Sequence, residues 1–414
     1  MNEFTARRII DLDNISEGFV RLLQERPGEV NPYHCIACGS CSSVCPASGL
    51  FYMDPQQFIR LAILDQEREV LNSKWLWVCA LCHSCVHACP VSIDIPRIID
   101  TARKLQPHCA RPQELRRRVK VSSTTGNNLG RPPSWFSGIV RQEQERLKER
   151  PGFEEFTIPV DKKGAECLLI LNTRFLNEKP GILGSYARIF HAAKENWTVS
   201  SFVLDTSCPA FLAGDECGEK LWSERIETVC RDLGIKTCIM DDCANPFSAF
   251  GAGNFRRKAN QLPFEVINST ELVFRYLEAG RLNLNPSVFG ASVTLHDLCN
   301  VKRTQELFDF PRTLLEFFSD NFVELGRHRE DSICCGGALL ASGLREEALA
   351  AGRWKADQIR ESGAGTVVVL CKTCYMQIEE LIRHYELPCK TAFLPEIIAD
   401  ALKYPSDSCL SKQD

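Results

Sequence analysis

The chain has 414 residues, 44% hydrophobic and 25% charged, with 25 Gly and 21 Pro, the balance of an ordinary globular protein rather than a disordered or collagen-like one. At roughly 150 residues per domain the length predicts two or three domains, and a formal charge of −4 gives no global reason to expect nucleic acid. The outlier is 22 cysteines in a chain that opens on MNEFTARRIIDLD, without the apolar core of a secretory signal; thiolate ligands in a reducing compartment are therefore expected, not a disulfide scaffold.

Residues 1–105 hold eight of those cysteines in two runs, Cys35-x2-Cys38-x2-Cys41-x3-Cys45-Pro46 and Cys79-x2-Cys82-x2-Cys85-x3-Cys89-Pro90. Helical patterns flank the first run, over 15–25 and 55–69. Three closely spaced thiolates wrap one corner of a [4Fe–4S] cubane, and the fourth cysteine of such a run points elsewhere; in two-cluster ferredoxins it serves the other cluster. That wiring assigns Cys35, Cys38, Cys41 and Cys89 to one cubane, and Cys79, Cys82, Cys85 and Cys45 to the other. Zinc is the competing reading, but zinc sites pair two C-x2-C knuckles across a longer gap and need no third cysteine three residues on. His34, His83 and His87 read as residues around the clusters, since the cysteines already complete the ligand sets.

Residues 106–163, with RPQELRRRVK, SSTTGNNLGRPPS and RQEQERLKERPG, read as a linker carrying one or two short helices. Eight Lys/Arg between positions 97 and 120 stand against Asp100 and Glu114, either as a solvated face or as a docking surface for an acidic partner or anionic lipid. From 164 onward one unit is written twice, with an offset of 127 to 128 residues: an apolar β-rich run (CLLILN, then SVTLHD), a helix, a short strand, a Cys-containing turn (Ser207-Cys208-Pro209, then Cys334-Cys335-Gly336), a longer helix, and a strand leading to Cys243 or Cys371. Alternating strands and helices predict two pseudo-symmetric α/β units with short parallel sheets, over 164–285 and 286–414. The fold class is therefore multidomain α+β, an α-helical dicluster ferredoxin-like domain followed by the two units.

The second unit gathers Cys299, Cys334, Cys335, Cys371 and Cys374. Vicinal cysteines do not sit comfortably at one cubane corner, and a disulfide between neighbours is strained. Gly336 and Gly337 let the backbone turn tightly beside a bulky group. Five cysteines exceed what one cubane needs.

This pattern resembles the CCG, or cysteine-rich, domain of the B-type and fused D-type subunits of heterodisulfide reductase, while the N-terminal part, with Trp77, the second cysteine run, Ile93 and Ile95, resembles the C-type subunit. NWTVSSFVLD (196–205), MDDCANPF (240–247), and His296-Asp297-x-Cys299-Asn300 are similar to the DsrK-type component of the membrane complex DsrMKJOP and its Tmc and Hme relatives. The resemblance implies a noncubane [4Fe–4S] cluster on the five cysteines, besides the two cubanes, and reductive cleavage of a disulfide or trisulfide, or the reverse. It also implies electrons from a membrane cytochrome b-type subunit within a quinone-linked complex, a small protein dithiol or heterodisulfide as substrate, and a peripheral position on the cytoplasmic face through partner subunits. The alternative is a pure relay, as in anaerobic glycerol-3-phosphate, glycolate or lactate dehydrogenases; a zinc-structured or redox-sensing protein is a third class. His296, with Lys372 second, is the candidate proton donor by position, against a structural histidine bonded to Asp297.

The first copy departs from the pattern: Asn172 stands where the second has Cys299, Pro246 where it has Cys374, and only Cys208 and Cys243 remain of five. Glu216-Cys217-Gly218 imitates the motif nine residues too late. A lid over the intact site, not a second noncubane cluster, is the expectation. Neither an 18-residue apolar span nor a G-x-G-x-x-G fingerprint after a strand occurs; Gly251-Ala252-Gly253 is too short. Nine cysteines are left over (109, 167, 208, 217, 230, 238, 243, 389 and 409), mostly as small apolar residues.

Overall fold

The computed structural model describes residues 18–25, 31–241, 262–286, 289–299 and 306–403. Cys243, Pro246, Cys409, Asn300 and residues 15–17 of the first helical pattern lie outside them.

The N-terminal region is helical and shaped by its punctuation. Asp54 caps the helix Pro55–Ile63 by accepting from the Gln57 amide at 2.9 Å, Pro55 starts it, and Phe58, Ile59 and Ala62 form its buried stripe. The pattern over 55–69 is not one helix: a second begins at Glu67. Asp65 between them takes a left-handed backbone (φ 52°), and its carboxylate accepts from the Phe19 and Val20 amides at 3.0 and 3.2 Å. The break thus caps the helix Phe19–Glu25. Around the cysteines the two runs repeat one backbone: Ala37 and Gly39 flank Cys38 with positive φ, and Leu81 and His83 flank Cys82 likewise. His83 does the conformational work of a glycine, and its ring lies 3.7 Å from Asp94.

The remainder is α/β. Strands β1 (Cys167–Ile170), β2 (Trp197–Thr198), β3 (Thr237–Met240) and β4 (Glu265–Asn268) form a parallel sheet in the order β2-β1-β3-β4, and β5 (Val293–His296), β6 (Thr366–Val369) and β7 (Lys390–Phe393) a second parallel sheet in the order β5-β6-β7. A single parallel bridge from Val293 to Phe322 stands where β2 stands in the first sheet. These strands read as unbroken apolar runs because helices cover both faces.

The cores do not follow the domain limits read from the sequence. Along β1, Cys167 and Leu169 join a core shared by the two α/β regions, whereas Leu168 and Ile170 face a second core built with Phe58, Trp75 and Ile98 of the N-terminal region and with Leu339 and Ala351 from beyond β5. The stretch 106–163 is more than a linker. It forms helices Gln113–Thr125 and Pro133–Lys148, which bury Leu115, Val119, Phe136, Ile139, Val140 and Leu147. Much of the positive charge over 97–120 is structural as well. Arg103 is buried, Arg111 binds Asp215 at 3.0 Å, and Arg118 donates to the Ala341 carbonyl at 2.6 Å.

Candidate functional site

The site assembles at the carboxyl ends of β5 and β6, where parallel sheets present their loops. The register pairs His296 with Val369, so the residues just beyond each strand emerge side by side. Cys299 follows β5 by three residues; Cys371 caps the helix Lys372–His384, and Cys374 lies in its first turn. Cys334 and Cys335 precede the helix Gly337–Ala341, with Gly336 at its N-cap. Two helix N-termini therefore face the thiols, a setting that favours thiolate.

The glycines have a definite reason. Gly336 has φ +87°, and a Cβ there would stand 2.8 Å from the Ala348 carbonyl oxygen; at Gly337 it would stand 3.1 Å from the Thr373 carbonyl oxygen. The loop is thereby held against both the helix Arg345–Ser362 and the Cys371–Cys374 turn.

All five predicted cysteines come together in one thiol network, buried except for the half-buried Cys299. Cys299 hydrogen-bonds Cys334; Cys334 and Cys374 both bond Cys335; Cys374 also contacts Cys371. Bonding from Cys334 and then Cys374 holds Cys335 well below the usual thiol range, whereas the bond to Cys334 and burial push Cys299 well above it. His296 joins them, with a ligand atom of His296, Cys335 and Cys374 all within 4.8 Å of one another. Burial, reinforced by the Lys355 charge, drives His296 down to about 3, so its imidazole is neutral at ordinary pH. Asp297 is not its hydrogen-bond partner: Arg312 grips both oxygens of Asp297 at 2.9 Å, and the Arg329 amide reaches one of them at 2.8 Å.

The N-terminal cysteines adjoin this network. Cys45, Cys79, Cys82 and Cys85 line one small cavity together with Gly336, Leu339 and Ala351. Cys82 hydrogen-bonds Cys334, which together with burial raises it well above the normal thiol range; burial lifts Cys79 to about 11 against the opposing charge of Arg103. In the first run Cys41 is buried and feels the charge of Cys35, Cys38 is exposed and bonds Ser40 at 3.3 Å, and the Cys89 sulfur accepts from the Ile93 amide at 3.4 Å. Among the described residues no cysteine forms a disulfide.

At the corresponding ends of β1 and β3 the first unit holds oxygen and nitrogen. The Asn172 amide donates to Asp205 at 3.0 Å and to Ser207, its carbonyl caps the helix Thr173–Glu178, and its backbone N–H donates to Asp241 at 3.0 Å. Thr206 donates to Asp241 at 2.5 Å. Cys208 is buried, with its thiol pushed up by burial, and Cys217 is exposed on the helix Glu216–Leu233. Lys372 links the two places, its Nζ 3.3 Å from Ser207 Oγ.

Two buried groups bear on what the five-cysteine site could hold. Lys355 Nζ and His296 Nδ1 are buried with no hydrogen-bond partner. A buried ammonium facing sulfur calls for an anionic group, and five thiols with glycines held against backbone fit a multi-thiolate iron–sulfur centre. Lys355 was missed in the sequence, where it looks like any other charge on the face of an amphipathic helix.

Comparison with known proteins agrees with this geometry. Residues 32–93 match the 4Fe-4S dicluster domain and residues 293–379 the cysteine-rich domain CCG, which makes this an iron–sulfur electron-transfer protein, and the oxidoreductase subunits it resembles support an oxidoreductase role. It is 23% identical over 381 residues to the Hdr-like menaquinol oxidoreductase iron-sulfur subunit 2 of Archaeoglobus fulgidus, covering 79% of this chain and 67% of that one. To the C-type subunit of the ferredoxin:CoB-CoM heterodisulfide reductase of Methanosarcina acetivorans it is 26% identical, over 49% of this chain and 79% of the relative. To the D-type subunit of the dihydromethanophenazine:CoB–CoM heterodisulfide reductase of Methanosarcina barkeri it is 25% identical, over 50% of each. The chain is similar to heterodisulfide reductase-like proteins, with a C-like part preceding the cysteine-rich part as in the D-type subunit. It spans about half to two thirds of the length of the menaquinol oxidoreductase and D-type relatives. Among the described residues no helix is long and apolar enough to cross a membrane.

Proposed function

We propose that the chain passes single electrons through two cubanes, on Cys35, Cys38, Cys41 and Cys89 and on Cys79, Cys82, Cys85 and Cys45, to a noncubane [4Fe–4S] centre on Cys299, Cys334, Cys335, Cys371 and Cys374. There a disulfide or trisulfide of a small protein dithiol, or a heterodisulfide, is reduced or formed. When bound, such a centre supplies an iron that accepts sulfur and stores single electrons for a two-electron reaction. The observation that carries the reading is the Cys82–Cys334 contact, which puts the ferredoxin-type loop directly against the five-thiol network.

The protein's own groups serve the rest. The glycine loop holds Cys335, whose thiolate is favoured by bonds from Cys334 and Cys374, and the apolar surroundings exclude water. His296, neutral and beside Cys335 and Cys374, offers an N–H to sulfur rather than a positive charge. The names of the menaquinol oxidoreductase relatives support a quinol-linked complex, with a membrane cytochrome b-type partner delivering the electrons and this chain peripheral on the cytoplasmic face. The first unit, with its polar network in place of thiols, acts as a lid over the neighbouring site.

Anaerobic purification with iron counting and electron paramagnetic resonance (EPR) of the thiol-oxidised protein tests this. About 12 irons per chain for three four-iron centres, with a paramagnetic oxidised signal lost in Cys335→Ser, is the expected result. About eight irons and no such signal, the count for two cubanes alone, would leave a pure relay and overturn the catalytic part. His296→Gln is expected to slow turnover at full iron content; unchanged turnover removes His296 from the mechanism.

A further inference from the structure

Lys355 stands apart from every other cation of its helix. Arg345, Arg353 and Arg360 of Arg345–Ser362 are exposed and paired with carboxylates at Glu380 or Asp357. Lys355 is fully buried, and its Nζ has no hydrogen-bond partner. The charged or titratable groups it faces are Asp297, His296 and the sulfurs of Cys334, Cys335 and Cys374. Asp297 shares Arg312 with Glu324 and His296 is neutral, so the ammonium meets the sulfurs with Asp297 as its first charged neighbour.

A charge that is costly to bury persists where something of opposite sign meets it. An apolar side chain would pack in this helix without that cost. We propose that Lys355 is a positioning and potential-setting residue, the resident counter-charge of the five-cysteine site, which favours the more reduced state of the centre held there. This rests on the reading above that a third iron–sulfur centre occupies that site. The reason is electrostatic: a fixed cation in a low-dielectric interior stabilises whichever state carries more negative charge, and that is the state with the added electron. No bond forms or breaks at Lys355; the electron comes from the ferredoxin-type side.

The test uses the full chain, purified anaerobically as wild type, Lys355→Met and Lys355→Arg. Iron per chain and the midpoint potential of each centre are measured by EPR-monitored titration at one pH. Lys355→Met is expected to change the oxidised-to-reduced ratio of the third centre about tenfold at a given potential, a shift of about 59 mV to the negative side for one electron. The cubane potentials stay in place, and Lys355→Arg restores most of the shift. Loss of third-centre iron in Lys355→Met but not in Lys355→Arg also supports the charge role. An unmoved potential at full iron, or equal iron loss in both variants, overturns it. A wild-type chain without a third centre overturns the underlying reading instead, a result distinct from either.

Discussion

The two α/β regions each gather side chains at the carboxyl ends of a parallel sheet and fill the space with opposite chemistry. Behind β1 and β3, Asn172, Asp205, Ser207, Thr206 and Asp241 donate to and accept from one another. Behind β5 and β6, five thiols crowd together while Lys355 Nζ and His296 Nδ1 go unpartnered. A polar cluster that satisfies itself holds the chain together and asks for no guest. One that leaves buried donors unspent is shaped around something else.

That contrast can be broken most forcefully at Arg312. Together with Asp297 it forms a nearly fully buried ion pair at 2.9 Å, and removing one partner of such a pair costs about 3–5 kcal/mol. Arg312→Met is expected to lower denaturant stability by that amount and to loosen the β5 end of the site; a loss under about 1 kcal/mol would mean that Asp297 finds another partner. A smaller effect is expected at Asn172, which both caps a helix and bonds Asp205. Asn172→Ala should cost about 2 kcal/mol in urea unfolding and leave iron content at the wild-type value. Lost iron would show that the first unit takes part in holding a centre.

The smallest effect concerns pH. Glu219 lies at the junction of the first unit with the N-terminal region, and burial raises its carboxyl to about 7 against Lys104, with Asp100, Glu216 and Asp215 adding to the rise. A carboxyl raised on folding contributes stability that is fully present below its unfolded value near 4.5 and is lost as pH climbs through 7. Glu219→Gln should therefore flatten the fall in melting temperature between those values, and an unchanged pH profile would show that another group carries it.

Spacing made most of the site legible. The third cysteine in each run, the Cys-Cys-Gly-Gly turn and the apolar strands are local patterns; in the structure the five cysteines of the second unit meet, and Cys45 shares a cavity with Cys79, Cys82 and Cys85. What spacing could not convey was long-range partnership. Whether Arg103, Arg111 and Arg118 face water or bind carbonyls and Asp215 depends on segments some one to two hundred residues away, so a basic stretch looked like surface. The break at Asp65 was hidden for the same reason, since its carboxylate serves a helix more than forty residues earlier. Lys355 is the clearest case, because nothing in GRWKADQIRESG distinguishes an inward lysine from an outward one.

Arg103 carries a mechanical consequence. Its guanidinium donates to the carbonyls of Leu76 at 2.8 Å, Cys79 at 2.7 Å and Leu212 at 3.1 Å, riveting the second cysteine loop to the first α/β region while Cys82 meets Cys334 in the other. Regions of one chain ordinarily rock against each other when little joins them. Here a hinge would have to break buried charge-assisted bonds before the loop could swing. The second cysteine loop is thus pinned at one place on the first α/β region.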